Sequence, residues 1–295
     1  MPKNFWALIA ATLVSVIYGV TFTIAKDVMP AYVQPYGFIV LRVGGSTLLF
    51  WLVWLFVKRQ KIDRSDYWRI VACAFFGVAF NMLTFFKGLS LTSPISAAVL
   101  MVSTPIIVLL LSAILIGEKL HARKVGGILL GMIGTVILIY YGQSSQNAPD
   151  AVMGNLLVFV NAVSYGLYLI LVKRLMERYD AFSFVNWIYL IGFLMVLPFG
   201  WDEVRAIDWN SFDGGIWWKT GFVIVISTFL TYLLNLWSMK TLRPVTVAVF
   251  IYLQPLFAAI FSISLGKDSL SLVKMISALM IFGGVYLVIR PGSKT

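Results

Sequence analysis

The chain has 295 residues, 60% of them hydrophobic and only 12% charged, with a mean hydropathy of +0.92. A soluble domain is nearer half apolar and a quarter charged, so the composition excludes an ordinary water-soluble fold. The formal net charge of +11 first suggests nucleic acid, but its distribution follows membrane sidedness instead, and no nucleic-acid partner is expected.

Ten apolar runs follow one another, at approximately 5–26, 35–57, 68–88, 94–116, 124–141, 152–173, 182–199, 218–237, 245–265 and 272–289. A membrane-crossing helix needs about 20 mostly apolar residues, and the short connections leave no room for a soluble domain. Residues 5–25 are too long for the core of a cleavable leader and are read as the first span. Trp6, Trp51, Trp54, Trp68, Trp201, Trp217 and Trp218 sit at run ends, where indole rings mark the membrane–water interface. The connection around Trp201–Trp217 holds Trp209 and Phe212 among acids and reads as a stretch lying along that interface. The lone cysteine, Cys73, reads as a buried small apolar residue and leaves no disulfide and no metal cluster.

The expected fold class is an all-α integral membrane protein of ten transmembrane helices. Its partners are the lipid bilayer and a small-molecule solute, with no cofactor, no metal and a monomeric state expected. With the N-terminus placed inside, 16 of the 23 Lys and Arg residues fall on the inner side, 6 fall on the outer side, and Arg42 lies within a span. That bias predicts cytoplasmic N and C termini.

The chain repeats itself. Ser93 to Leu120 recurs from Arg243 to Leu270, so that Pro94 aligns with Pro244 and Pro105 with Pro255. The same shift of 150 aligns Lys124 with Lys274 and Gly134 with Gly284, and a shift of 147 aligns Tyr18-Gly19 with Tyr165-Gly166 and Lys26 with Lys173. The predicted halves are 1–146 and 147–295. Each has five spans, an odd number, so the second half enters the membrane from the opposite side, as in carriers built of inverted repeats.

These residues resemble a known family. Tyr18-Gly19-Val20-Thr21-Phe22 leading to Lys26, Leu41-Arg42, Thr92-Ser93-Pro94 through Pro105 to Gly117-Glu118-Lys119-Leu120, and Gly131-Met132-Ile133-Gly134 are similar to the EamA-type branch of the drug/metabolite transporter superfamily. The second half agrees through Ser164-Tyr165-Gly166-Leu167-Tyr168, Tyr252-Leu253-Gln254-Pro255 and Gly283-Gly284. The resemblance implies a secondary-type transporter of the inner membrane that moves small metabolites, amino acids foremost, and exports them. Two departures stand out. Tyr18 replaces a residue that is often Trp. The second Gly-Glu element reads Gly266-Lys267-Asp268, one residue shorter from its proline. The shorter copy predicts that the outer end of span nine does not close as the inner end of span four does.

Arg42 is the sharpest chemical signal. It lies about seven residues past Pro35, roughly 10 Å into its helix, where a charge is expensive and is expected to face a cavity or a partner. Lys26 and Lys87 end spans one and three on the same outer side, with Asp27 the nearest acid. With Arg42 they would form a basic cluster suited to an anionic or carboxylate-bearing solute; the plainer reading is lysines reaching for the interface. No Asp or Glu sits centrally in any run, which argues against a central carboxylate proton switch and against a strongly cationic solute.

Tyr18, Thr21, Asn81, Thr84, Ser103, Tyr165, Tyr168, Tyr232, Asn235, Tyr252 and Gln254 add polar and aromatic groups to the interior. Singly, each serves as well to join helices. As a set they describe a mostly neutral, aromatic-lined cavity between spans 1, 3, 4 and their counterparts 6, 8, 9. Gly19, Gly166, Pro105 and Pro255 are hinge candidates, Lys26 a gating candidate and Glu118 a candidate inner latch. No carboxylate pair, His/Cys cluster, nucleophile triad or phosphate-cradling loop is present, so there are no catalytic residues and no enzyme is expected. Two alternatives stay open: an organic-anion or phosphorylated-metabolite exchanger using Arg42, Lys26 and Lys87, and a channel subunit or membrane scaffold.

Overall fold

The computed structural model describes residues 3–57, 60–116, 122–141, 148–239 and 253–289, and among them every regular element is a helix. Helices α1 (Lys3–Val28) and α2 (Pro35–Trp54) are uninterrupted. Helix α3 (Arg64–Leu91) opens with a 3₁₀ turn and passes through a π-helical stretch, Phe75–Ala79. Next come α4 (Pro94–Met101), α5 (Thr104–Ile116), α6 (Ala122–Tyr141), α7 (Ala151–Arg178) and α8 (Ala181–Arg205). Helix α9 is assembled from Gly214–Gly221, a second π-helical stretch, Phe222–Leu230, and Thr231–Met239. Helices α10 (Gln254–Ser264) and α11 (Leu272–Ile289) follow.

Among the described residues, seven helical stretches are long and apolar enough to cross a membrane: α1, α2, α3, Pro94–Leu111 across α4 and α5, α7, α8 and the Gly214–Asn235 part of α9. Val125–Leu138, Gln254–Ser264 and Leu272–Leu287 are apolar but shorter. Leu48, Phe56, Phe199 and Leu279 are among the large apolar side chains that face outward. A coat of such residues suits hydrocarbon, and helices satisfy their own backbone polar groups inside it. The protein is a multi-pass, all-α membrane protein.

The apolar run 94–116 is not one helix. Helix α4 stops at Met101, Val102 and Ser103 turn, and α5 starts at Thr104. Pro105 therefore lies in the first turn of α5, where its missing N–H removes no internal bond. Pro255 holds the same place at the start of α10. The roughly 3 kcal/mol cost of a proline inside a helix does not arise for either. The glycines behave differently. Helices α1 and α7 run unbroken through Gly19 and Gly166. A Cβ at Gly19 would stand 2.6 Å from Phe257 Cβ, so Gly19 brings α1 against α10 rather than bending α1.

The packing follows a pattern. Helix α6 lies along α11, and α2 along α8. Helix α3 packs on α7 as α1 packs on α9, and α5 packs on α7 as α1 packs on α10. The π-helical part of α9 meets α2, and that of α3 meets α8. Each of these stretches receives a glycine: a Cβ on Gly45 would stand 2.7 Å from Ile224, and one on Gly192 would stand 2.5 Å from Val78. Phe75 and Phe222, which open the two stretches, are 147 residues apart, as are Gly45 and Gly192. Long π windings are rare and recur at functional sites.

Candidate substrate site

Arg42 lies about two turns into α2, and its side chain is buried. Its Nε donates to Thr228 Oγ1 at 2.6 Å. The guanidinium carbon stands 4.6 Å from the centroid of the Phe86 ring on α3, a cation–π contact. Thr228 belongs to the π-helical part of α9 and donates its hydroxyl to Val223 O, five residues back, at 2.8 Å. That bond turns an oxygen lone pair toward Arg42. The Tyr18 and Tyr189 hydroxyls are within electrostatic range of the guanidinium.

A guanidinium carries five N–H donors. Among the described residues one of them is hydrogen-bonded, and no carboxylate pairs with Arg42. A buried charge without an acidic partner is costly.

Tyrosines make the neighbouring wall. Tyr165 and Tyr168 stack at 5.8 Å on α7. Tyr232 on α9 meets Tyr189 edge-on at 6.1 Å. Phe50 of α2 packs against Tyr189 at 4.6 Å and Tyr232 at 5.3 Å. The Tyr168 ring lies over Gly77 in the π-helical part of α3, where a Cβ would come within 2.3 Å of it. Thr21 Oγ1 donates to Ser227 Oγ at 2.8 Å, joining α1 to α9. Of the expected set, Tyr18, Thr21, Arg42, Tyr165, Tyr168 and Tyr232 thus share one neighbourhood.

Other expected residues are used differently. Asn161 Nδ2 donates to Asn81 O at 2.7 Å, and Asn81 Nδ2 to Asn161 O at 3.4 Å, so this pair holds α3 to α7. Ser103 donates to Leu100 O at 2.6 Å, within the turn that splits the fourth run. Thr84 donates to Phe80 O at 2.8 Å in its own helix. Gln254 is buried at the start of α10, and Asn235 is half-buried on α9. Glu118 and Tyr252 lie outside the described residues.

The expected cluster of three cations is not assembled. Lys26 Nζ donates to Leu89 O at 3.2 Å and to Thr92 O, which commits it to the C-terminal end of α3. Lys87 stands over the Tyr36 ring, 5.9 Å from its centroid. It lines a cavity of about 540 Å³ between α2, α3, α7 and α8 together with Tyr36, Phe75, Thr84, Leu157 and Phe199; Arg42 does not line that cavity. Asp27 pairs with Lys219 at 2.7 Å and Lys267 at 2.9 Å, not with Lys26 or Lys87.

Thr228, Ser227 and Phe86 belong to the site yet fall outside the expected set. The shift of 147 that aligns the two copies carries Arg42 onto Tyr189 and Asn81 onto Thr228, a signal that was present in the sequence.

A bundle of apolar helices around a buried cation and a tyrosine wall defines a membrane protein with an internal polar site. The model of the EamA-like transporter family matches the chain twice, over residues 5–140 and 152–290. The uncharacterized transporter YetK of Bacillus subtilis is 26% identical over 249 residues, covering 83% of this chain and 74% of that one. An uncharacterized transporter of Archaeoglobus fulgidus is 25% identical over 287 residues, covering 97% and 98%. The Arabidopsis thaliana WAT1-related protein At5g64700 is 23% identical over 318 residues, covering 94% and 88%. A crystal structure that is 20% identical shares the fold, with a TM-score of 0.63 and 98% of each chain covered. The chain belongs to the EamA-like transporter family. It is a membrane transporter and not an enzyme.

Proposed function

We propose that the protein is a ten-span, alternating-access carrier of two inverted five-helix halves, residues 1–146 and 147–295. It has cytoplasmic termini and exports small amphipathic metabolites, amino acids foremost, across the cell membrane. Arg42 carries this reading. It is a buried cation with no acidic partner among the described residues, set beside aromatic faces. A solute carboxylate would take the guanidinium, while tyrosine faces hold its ammonium or apolar part. The pairwise packing of α1 on α9 with α3 on α7, and of α1 on α10 with α5 on α7, supports the inverted halves, as does the double family match. Transport would follow from rocking one half against the other around a site near the midplane.

The commitment of Lys26 to backbone carbonyls and of Lys87 to a separate cavity favours a singly charged carboxylate over a phosphorylated solute, which would call on all three cations. Counterflow in proteoliposomes tests the reading. Saturable exchange of a neutral amino acid, lost in Arg42→Ala, is expected. Exchange confined to organic anions or phosphate esters would replace this reading with the exchanger. Non-saturable flux would replace it with a channel, and no flux of any of these solutes with a scaffold.

A further inference from the structure

Lys87 carries a charge that the substrate site does not use. No carboxylate pairs with it among the described residues. Its ammonium group is held over the Tyr36 ring. Glu203 also reaches the start of α2, but its Oε2 accepts the Gly37 amide at 2.7 Å. That bond commits the carboxylate to a helix N-terminus and leaves Lys87 without an anion.

Lys87 lies one turn before the end of α3, and Tyr36 is the second residue of α2. The charge therefore marks one end of the cavity of about 540 Å³ between α2, α3, α7 and α8. The rest of the wall is apolar, with Phe75, Phe80, Leu83, Leu157 and Met195. Phe75 stands about 18 Å along α3 from Lys87. Thr84 lines the cavity too, but its hydroxyl is spent on Phe80 O. The result is a long apolar slot with a cation at one end.

The slot opens sideways. Its lining residues Phe75 and Phe199 are 42% and 62% exposed, and Val71 and Leu194 on the same two helices face outward as well. These side chains belong to the coat that suits hydrocarbon, so the mouth meets the acyl region of a bilayer rather than water. A polar metabolite in the slot would leave its own polar groups without partners. An acyl chain needs none, and an anionic headgroup would complete Lys87. Basic pockets between membrane helices hold lipid headgroups in this way.

We propose that this cavity is a docking site for an anionic phospholipid of the surrounding bilayer. Its phosphate meets Lys87, and one acyl chain runs along α3 to Phe75. Phe75 and Ala79 of the π-helical stretch face the cavity, while Gly77 between them lies under the Tyr168 ring. The lipid thus sits behind the tyrosine wall of the substrate site.

Native mass spectrometry of the full chain in detergent micelles tests the headgroup. The probes are phosphatidylglycerol and phosphatidylcholine with the same acyl chains. Phosphatidylglycerol should bind about tenfold more tightly, the order of one hydrogen bond to a charged group. Lys87→Met should erase that preference, and Lys87→Arg should keep it. Lys87→Gln carries the same test should the methionine variant not fold. A phosphatidylglycerol with a diazirine near its chain end places the chain. Its label should concentrate on Phe75–Leu83 and Met195, and Leu157→Trp, which fills the slot, should remove it. Equal affinity for the two lipids, or a preference that survives loss of the Lys87 charge, would overturn the proposal. So would label spread evenly over the outward-facing Leu48 and Leu279, the mark of an unselective lipid coat. Displacement of the lipid by glycerol phosphate would reassign the cavity to a water-soluble anion.

Discussion

Arg42 and Tyr189 stand 147 residues apart, at the same place in the two copies of the repeat, yet one is a buried cation and the other a neutral phenol. Around them the copies agree. The π-helical stretches begin at matching residues, Phe75 and Phe222. Gly45 and Gly192 open the same close approach. Thr84 and Thr231 each donate four residues back within their own helix, at 2.8 Å and 2.7 Å. The copies share the frame and differ in charge. A shared frame suits the exchanging halves proposed above, and a cation on one half alone would give the proposed amphipathic solute a single orientation.

The largest expected effect breaks this asymmetry directly. Arg42→Met should lower proteoliposome exchange by about 100-fold, within the cost of deleting one member of a buried charge pair, whereas Tyr189→Phe should change it only about threefold, as loss of one neutral hydrogen bond would. Arg42→Lys should not rescue exchange, because an ammonium lacks the planar fork that a guanidinium offers a carboxylate. Equal losses at positions 42 and 189 would remove the asymmetry from the account.

The lysine pair gives a smaller contrast. Lys26→Met should destabilise the resting protein by about 2 kcal/mol, since it strands two carbonyls that a charged donor now satisfies. Lys173 is exposed on α7, and Lys173→Met should stay within about 0.5 kcal/mol. Thermal unfolding in one detergent compares them, and a matched fall in Tm would show that the two ends are held alike. The glycines should sharpen the comparison from the side of sameness. Gly45→Ala and Gly192→Ala should each cost about 1 kcal/mol, the low end for overpacking, because the atoms they meet belong to the side chains of Ile224 and Val78. Unequal costs would show that the two π-helical contacts differ.

Some of this was legible in the residue order. An in-span arginine is conspicuous wherever its helix turns, because a charge in an apolar run is expensive in any packing. Its partners were not legible. Thr228 lies 186 residues away, and the π winding that presents it has no signature in composition. Lys26 and Lys87 look alike in sequence, each a lysine near the end of an apolar run. One caps a neighbouring helix and the other stands over a ring in a separate cavity, because helix ends and aromatic faces come together only in the packed molecule.

By itself the sequence determined the membrane class, the apolar runs, the repeat with its shifts of 147 and 150, and the lone cation within a span. These follow from apolar burial, which is non-directional and scales with composition. Tertiary structure alone decided that the fourth run is split ahead of Pro105, that Arg42 meets Thr228 and Phe86, and that Lys87 lines a cavity of its own. Each depends on hydrogen bonds and charge placed within a few tenths of an ångström, and that precision arises only once distant helices pack.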